Sequence, residues 1–143
     1  MLLPASLPEA ERAAIDKATA AKGVYTEEED TYKVSFPRSD VKVTVEGRSM
    51  APFLSFTSWA TFTSSDHGGV MVMGDVVLLE DEVNRAMSAA LDAGLEVTAL
   101  HNHFFYESPR LMFMHIGGRG TAGQLAALGH IEQGKVIQGK EML

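Results

Sequence analysis

Residues 70–79 restrict the fold more than any other segment, because they are apolar on both alternating faces except at Gly74 and Asp75. A strand with two apolar faces needs a covering layer on each side, so this segment is predicted to be a central strand of a sheet. Residues 81–93 follow as an amphipathic helix, with apolar side chains at helical spacing and Gly94 at its stop. Residues 95–103 and 110–116 are predicted to be the next two strands.

The segments on either side of this unit also carry clear patterns. Residues 32–36 and 41–45 alternate between apolar and polar side chains, which is typical of a hairpin-like pair of strands. Residues 53–62 are aromatic-rich and β-prone. Ser6 and Glu9 match a capping box in front of a helix predicted over residues 10–21. Residues 117–120 are predicted to form a glycine-rich loop, and residues 121–133 a short amphipathic helix.

These elements define a fold class. From residue 56 their order is β-β-α-β-β-α, and residues 70–103 are predicted to form a right-handed parallel crossover. The prediction is an α+β domain with a mixed, mainly antiparallel sheet and helices packed mostly on one face. Residues 1–23 form the N-terminal helix, and residues 24–143 form a single domain.

Composition excludes several classes of function. The net charge is −7 with no Lys/Arg cluster, so nucleic-acid binding is not expected. No cysteine is present, so any metal must be held by nitrogen and oxygen ligands. No apolar run reaches the roughly 18 residues of a membrane span. The N-terminus lacks the pattern of a signal peptide, so the chain as given is expected to be cytoplasmic.

The segment LHNHFFYESPRLMFMHI, residues 100–116, holds three of the five histidines and a glutamate. Residues two apart on a strand share a face, which places His101 and His103 together. In an antiparallel hairpin whose paired residue numbers sum to 216, His101 lies opposite His115, with Cβ atoms about 5 Å apart. Glu107 can fold back from the loop, and the prediction is a site of three histidines and one glutamate.

Such a ligand set suits Zn²⁺, Fe²⁺, Mn²⁺, Ni²⁺ or Cu²⁺. An open coordination position would let the metal activate a water molecule, with Glu107 as a fourth ligand or a catalytic general base. Metal-assisted hydrolysis and oxygen chemistry are then the candidate reactions. The alternative is a metal-free module that binds a small ligand or a protein partner on the histidine-bearing face, flanked by Trp59 and Tyr106. A third hypothesis is homodimerisation through the alanine-rich N-terminal helix.

Other polar residues have local explanations beside functional ones. Arg38 and Asp40 flank a turn, where they can form a local ion pair, and anion binding by Arg38 is the functional alternative. Asp75 interrupts an apolar strand, so its carboxylate needs a partner. Arg110 belongs to the hairpin loop and could face a ligand.

The stretches FPRSDVKVTVEG and VMVMGDVVLLEDEVNRAMSAALDAGLEVTALHNHFFYESPRLMFMHIGGRG resemble the LppY/LpqO family. The resemblance covers about residues 24–133. It implies a bacterial origin, one intact domain and unknown function, and many members of that family are predicted to be exported or lipoproteins. It implies no particular reaction.

Overall fold

The computed structural model describes residues 6–66 and 69–120. In these ranges the α-helices are Glu9–Thr19 (α1), Pro52–Ser55 (α2) and Val83–Asp92 (α3). The strands are Val24–Thr26 (β1), Thr31–Pro37 (β2), Val43–Val45 (β3), Arg48–Met50 (β4), Thr57–Ser64 (β5), Val70–Leu79 (β6), Glu96–His101 (β7), Glu107–Ser108 (β8) and Leu111–Gly120 (β9). None of the described helices is long and apolar enough to cross a membrane.

The strands form two antiparallel sheets. The large sheet has the order β1-β2-β5-β6-β9-β7, and the small sheet has the order β4-β3-β8. The longest ladder joins β6 to β9 through ten residue pairs, from Val70↔Gly120 to Leu79↔Leu111. The α+β class with a mainly antiparallel sheet is therefore confirmed.

Strand β9 lies between the two strands of the β6-α3-β7 unit. Both β6 and β7 pair antiparallel with β9, so they run in the same direction with β9 between them. The predicted crossover therefore joins two strands of like direction that are not hydrogen-bonded to each other. Helix α3 buries Ala86 and Ala90, in agreement with its helical spacing.

The predicted hairpin between residues 32–36 and 41–45 is wrong. Strand β2 pairs with β1 and β5, whereas β3 pairs with β4 and β8 in the small sheet. Alternation shows that a segment has one buried face, but it does not identify the strand that pairs with it. The small sheet depends on β8, a two-residue strand inside a segment predicted to be a loop.

One face of the large sheet carries the main core and the helices α1 and α3. The buried side chains of this core include Ile15 of α1, Ala86 of α3 and Phe62, Val76 and Ile116 of the sheet. Burying a Val, Ile or Phe side chain contributes about 1.5–3 kcal/mol. The predicted placement of helices mostly on one face agrees with this arrangement.

The opposite face carries a second, smaller core. Val77 and Phe113 of the large sheet pack there with Val43 of β3 and with Phe56, which follows α2. Strand β6 is thus buried on both faces at this end, as its sequence predicts. Towards its other end the same face carries Asp75 and the half-exposed Met73, and the second core does not extend over them.

Several predicted boundaries change. The glycine-rich segment predicted to be a loop belongs to β9, because Gly117 to Gly120 pair with residues 70–73 of β6. Strand β7 ends at His101, and a bulge lies between Val97 and Ala99. Helix α1 begins after Pro8 without a side-chain cap, so the predicted capping box does not form. The predicted helix over residues 121–133 lies outside the described residues.

Asp30, at the end of the acidic run, joins three parts of the fold. Its carboxylate accepts hydrogen bonds from the Leu7 N–H at 2.6 Å, the Tyr25 hydroxyl at 2.7 Å, and both the N–H and the hydroxyl of Ser64. Burial alone would raise the pKa of Asp30, but the hydrogen bonds from Ser64, Leu7 and Tyr25 outweigh it and lower the pKa to about 2. Asp30 is therefore a structural anchor.

We predict that Asp30→Asn lowers the free energy of unfolding at pH 7 by about 1–2 kcal/mol, since the variant loses the charged acceptor and keeps a side chain that tolerates left-handed backbone. A lowered pKa stabilises the fold above the unfolded value of about 3.9, and this contribution is lost as the pH falls towards 2. Urea unfolding at several pH values should therefore show a shallower pH dependence for the variant below pH 4. Glu28→Gln, in the same acidic run, is the matched control and should leave stability within about 0.5 kcal/mol.

Candidate functional site

The candidate site lies on the face of the large sheet opposite α1 and α3. The register pairs Ser35 with Trp59, Trp59 with Asp75, and Asp75 with His115. These four residues therefore form one row across four adjacent strands. Gly74, next to this row, lies so close to β5 that a Cβ there would be 2.5 Å from the Trp59 carbonyl oxygen. Glycine therefore permits the close packing of β5 and β6 beneath the site.

Asp75 and His115 form a direct polar contact. The His115 Nδ1 atom lies 3.1 Å from Asp75 Oδ1, and the two side chains are 32% and 20% exposed, respectively. A carboxylate at this position favours the tautomer with the proton on Nδ1 and holds the ring in place. The Nε2 atom is then the acceptor available to a ligand. The partner that the sequence required for Asp75 is thus a histidine.

A cleft of about 320 Å³ lies beside this row, and we call it the aromatic cleft. It is lined by Lys33, Ser35, Pro52, Phe53, Leu54, Ser55, Thr57, Trp59, Asp75, His103, Phe104 and Phe113. The strands supply its base, while α2 and residues 103–104 supply its sides. The Lys33 ammonium lies 4.9 Å from the centre of the Trp59 ring, within the range of a cation–π contact.

Two hydroxyls in the aromatic cleft are buried without partners. Ser55 Oγ and Thr57 Oγ1 are shielded from solvent, and neither has a hydrogen-bond partner among the described residues. A buried hydroxyl without a partner costs free energy, about 1–3 kcal/mol in proteins. The cleft therefore has hydrogen-bonding capacity that the chain itself does not use.

The predicted pairing of His101 with His115 is wrong. His101 pairs with Phe113 and Ala99 pairs with His115, so the sum of paired residue numbers is 214 rather than 216. His101 and His115 lie on the same face by alternation, two residues apart along the ladder. The sum changes from 213 at Val97 to 214 at Ala99, where a bulge lies, and such an extra residue has no signature in the alternating pattern.

His103 lies beyond the end of β7 and stacks against its neighbours. Its ring centre is 3.4 Å from that of Phe113 and 5.1 Å from that of His101. Burial and, to a smaller extent, the adjacent His101 lower the pKa of His103, which favours the neutral imidazole. Its orientation is therefore determined by aromatic stacking and not by strand alternation.

Glu107 occupies the small sheet, where it pairs with Val45. Its side chain is 1% exposed, its nearest cation is Arg110 at 3.9 Å, and neither carboxylate oxygen makes a hydrogen bond of ordinary geometry to a described residue. Burial raises the pKa of Glu107, and the Leu111 backbone N–H and Arg110 offset this only in part. Glu107 does not line the aromatic cleft.

The structure does not gather the predicted metal ligands into one group. Among residues 6–66 and 69–120, no three His, Asp or Glu side chains are arranged so that they could hold a metal ion. His101, His103, His115 and Glu107 divide between the open sheet face, the end of β7 and the small sheet. Metal binding stays a prediction from the sequence.

The predicted ligand-binding residues also separate. Trp59 lines the aromatic cleft, whereas Tyr106 and Arg110 are exposed and do not line it. Arg38 donates to Asp40 at 2.7 Å, to Glu82 at 2.6 Å and to the Val77 carbonyl at 3.3 Å. Its guanidinium is thus engaged within the protein, in agreement with the local ion pair that was the alternative to anion binding.

A second cleft of about 590 Å³ lies further along the same sheet face. Its lining includes Met73, Glu96, His115, Gly117 and Arg119. The glycine residues of β9 leave a depression in the sheet surface here because they have no side chains. Since Asp75 lines the aromatic cleft and His115 lines the second cleft, their hydrogen bond lies where the two clefts adjoin.

Sequence reasoning missed most of the polar residues of the aromatic cleft. The sequence shows no difference between Lys33, Ser35 and Thr57 and the other polar positions of alternating strands. Ser55 lies in a short helix that no sequence pattern predicted. One signal was present, since a lone carboxylate in an apolar strand pointed to Asp75. The other positions line one cleft only because β2, β5 and α2 are adjacent in the folded structure.

The fold and the site define an α+β domain with a cleft on the exposed part of its sheet. Residues 13–130 match the family model DUF1529, described as Domain of Unknown Function (DUF1259). The match covers more than half of the chain, and the chain belongs to this family. No curated protein matches the chain, and no solved structure matches it.

This family assignment corrects the resemblance drawn from the sequence. The stretches between residues 36 and 120 were compared with the LppY/LpqO family, but the matching family model carries a different name. What that resemblance implied about bacterial origin and exported relatives is therefore not carried over. The expectation of unknown function agrees with the family description.

We predict that Glu107→Gln gains stability relative to the wild-type protein as the pH rises from 4 to 7. A carboxyl whose pKa is raised by folding costs stability above its unfolded pKa of about 4.3, and the amide has no such cost. Thermal unfolding at several pH values should show a difference that grows with pH to about 1 kcal/mol. Glu28→Gln, at an exposed carboxylate that does not contribute to the pKa of Glu107, is the control. Equal pH dependence in the wild-type protein and Glu107→Gln would contradict the assignment.

Proposed function

We propose that this domain binds a small organic molecule in the aromatic cleft. The observation that carries the proposal is the combination of aromatic walls with unused polar groups in a cleft of about 320 Å³. This volume falls within the usual range of ligand sites, which combine apolar walls with a few polar groups that orient the ligand. The Phe53 and Phe104 rings would supply contact area. The hydroxyls of Ser55 and Thr57 would fix the ligand's orientation after a rotation about χ1 turns them towards the cleft.

The row of Trp59, Asp75 and His115 supports this proposal. The Trp59 and His115 rings meet edge to face with centres 6.4 Å apart, although their strands are separated by β6. Asp75 lies between them and holds His115 through Nδ1. A ligand would thus meet a pre-arranged polar row, and little side-chain entropy would be lost on binding.

The test uses Trp59, the only tryptophan in the chain, as its reporter. A fragment library would be screened by ligand-observed NMR, and each hit titrated against Trp59 fluorescence. Hits should change the emission, and Thr57→Val should weaken their binding about 5- to 10-fold, since it removes one hydrogen bond worth about 1 kcal/mol.

The matched control for this test is Thr61→Val. Thr61 lies on the same strand and sheet face as Thr57, but it does not line the aromatic cleft. Its replacement should leave the affinity of each hit unchanged. Fragments that bind without altering Trp59 emission, or equal effects of both Thr→Val replacements, would place binding elsewhere.

A second proposal is binding of a divalent metal by the exposed histidines. The observation favouring it is that His101 and His103 present adjacent rings, with centres 5.1 Å apart, on the face that also carries His115. Exposed imidazoles can change rotamer, so two of them could turn towards one ion. The Glu107 carboxylate is not needed for this arrangement.

Elemental analysis of protein purified without an affinity tag or added metal tests this second proposal. Substoichiometric metal, combined with the absence of a Zn²⁺ isotherm by calorimetry, would contradict it. If metal is bound, replacing both His101 and His103 by alanine should weaken affinity at least 100-fold, because the loss of even one ligand or its supporting contact costs 10- to 100-fold. His115→Ala then tells whether the third histidine takes part.

A further inference from the structure

The aromatic cleft has a polar base and an apolar rim. Its base comes from the sheet, and both aromatic rings there are covered by polar groups. The Lys33 ammonium lies over the Trp59 ring, and the His103 imidazole stacks 3.4 Å above the Phe113 ring. A molecule that reaches the base therefore meets a cation, an imidazole and the Asp75 carboxylate in place of bare aromatic surface.

The rim shows the opposite chemistry. Phe53 and Leu54, on the short helix α2, are 77% and 70% exposed although both line the cleft. Phe104 lines it from the segment after β7. Large apolar side chains held in water at the mouth of a cleft mark a surface that becomes buried on binding. The rim thus fits an apolar group that stays outside the polar base.

The two charges of the base have opposite sign and lie apart. Lys33 is on β2 and Asp75 is on β6, with β5 between them and an offset of two residues along the strands, so their backbones are separated by about 12 Å. No ion pair joins the two within the described part of the chain, and Asp75 instead contacts His115. A ligand that carries an anionic and a cationic group could therefore meet one partner for each.

From this arrangement we infer that the ligand is an amphiphile with a compact zwitterionic head group, which enters the cleft head first. The inference rests on the proposed function of the aromatic cleft. The anionic group of the head contacts Lys33, and its cationic group contacts the Asp75 carboxylate. The apolar part of the ligand lies against Phe53 and Leu54 at the rim.

The experiment compares amphiphiles that share a decyl chain, each below its critical micelle concentration. Trp59 fluorescence and calorimetry would measure binding of decylphosphocholine, which is zwitterionic, of decyl sulfate, which is anionic, and of decyl maltoside, which is neutral. Decylphosphocholine should bind at least about tenfold more tightly than either of the others, because only it satisfies both charges. Shortening its chain to octyl removes two CH₂ groups and should lower affinity about 15-fold, since each buried CH₂ contributes about 0.8 kcal/mol.

Variants separate the head group from the chain. Lys33→Met and Asp75→Asn should each weaken decylphosphocholine binding about tenfold, whereas Lys42→Met and Asp92→Asn, which lie outside the cleft, should not. Phe53→Ser should weaken binding and reduce the dependence on chain length. Phe105→Ser is its control, because Phe105 is equally exposed but does not line the cleft. Equal affinity for the three amphiphiles, or no effect of Lys33→Met and Asp75→Asn, would overturn the inference.

Three further outcomes are distinguishable. Sedimentation with phosphatidylcholine vesicles tests for adsorption to a lipid surface, and binding to vesicles without binding to monomeric decylphosphocholine would overturn the inference. If fragments change Trp59 emission and Thr57→Val weakens their binding, but no zwitterionic amphiphile binds, this inference fails while small-molecule binding stands. If neither fragments nor amphiphiles affect Trp59, both proposals fail.

Discussion

The antiparallel ladder between β6 and β9 is the constraint on which the other parts of the structure depend. Its ten residue pairs place Val76 beside Met114 on the face that α1 and α3 cover, and Val77 beside Phe113 on the face that the small sheet covers. A shift of one residue in this register would exchange the two faces and would expose both cores at once. The strands β5 and β7 then add at the two sides, and each takes its register from this central pair.

The same ladder produces the candidate site. The register that buries Val77 and Phe113 also sets Asp75 opposite His115, two residues further along the strands and beyond the second core. The small sheet does not cover this part of the large sheet. Side chains still alternate between the two faces here, so the polar side chains of this face line a cleft. The position of the site is thus a consequence of the small sheet covering only one end of the face.

The buried polar groups of this domain fall into two kinds. Asp30 and Arg38 have their hydrogen-bonding groups engaged by distant residues, and both connect segments far apart in the chain. The hydroxyls of Ser55 and Thr57 and the carboxylate of Glu107 lack such partners in the described part of the chain. Full satisfaction is the pattern of a structural contact, whereas unused capacity next to a cleft is the pattern of a binding surface. This contrast distinguishes Arg38, which the sequence offered as a ligand contact, from Thr57, which the sequence did not single out.

The sequence by itself determined the features that depend on neighbours along the chain. The α+β class, helix α3 and the two-sided burial of residues 76–79 of β6 follow from periodicity, which each segment carries alone. Only the tertiary structure decided which strands pair and in what register. Strand β3 joins β8 and not β2, and the bulged strand β7 places His101 opposite Phe113 and not His115. Periodicity indicates which face of a strand is buried, whereas strand pairing depends on contacts between residues far apart in sequence. For this reason the residues predicted to bind one metal ion lie in separate places, and Lys33, Trp59 and Asp75 lie around one cleft.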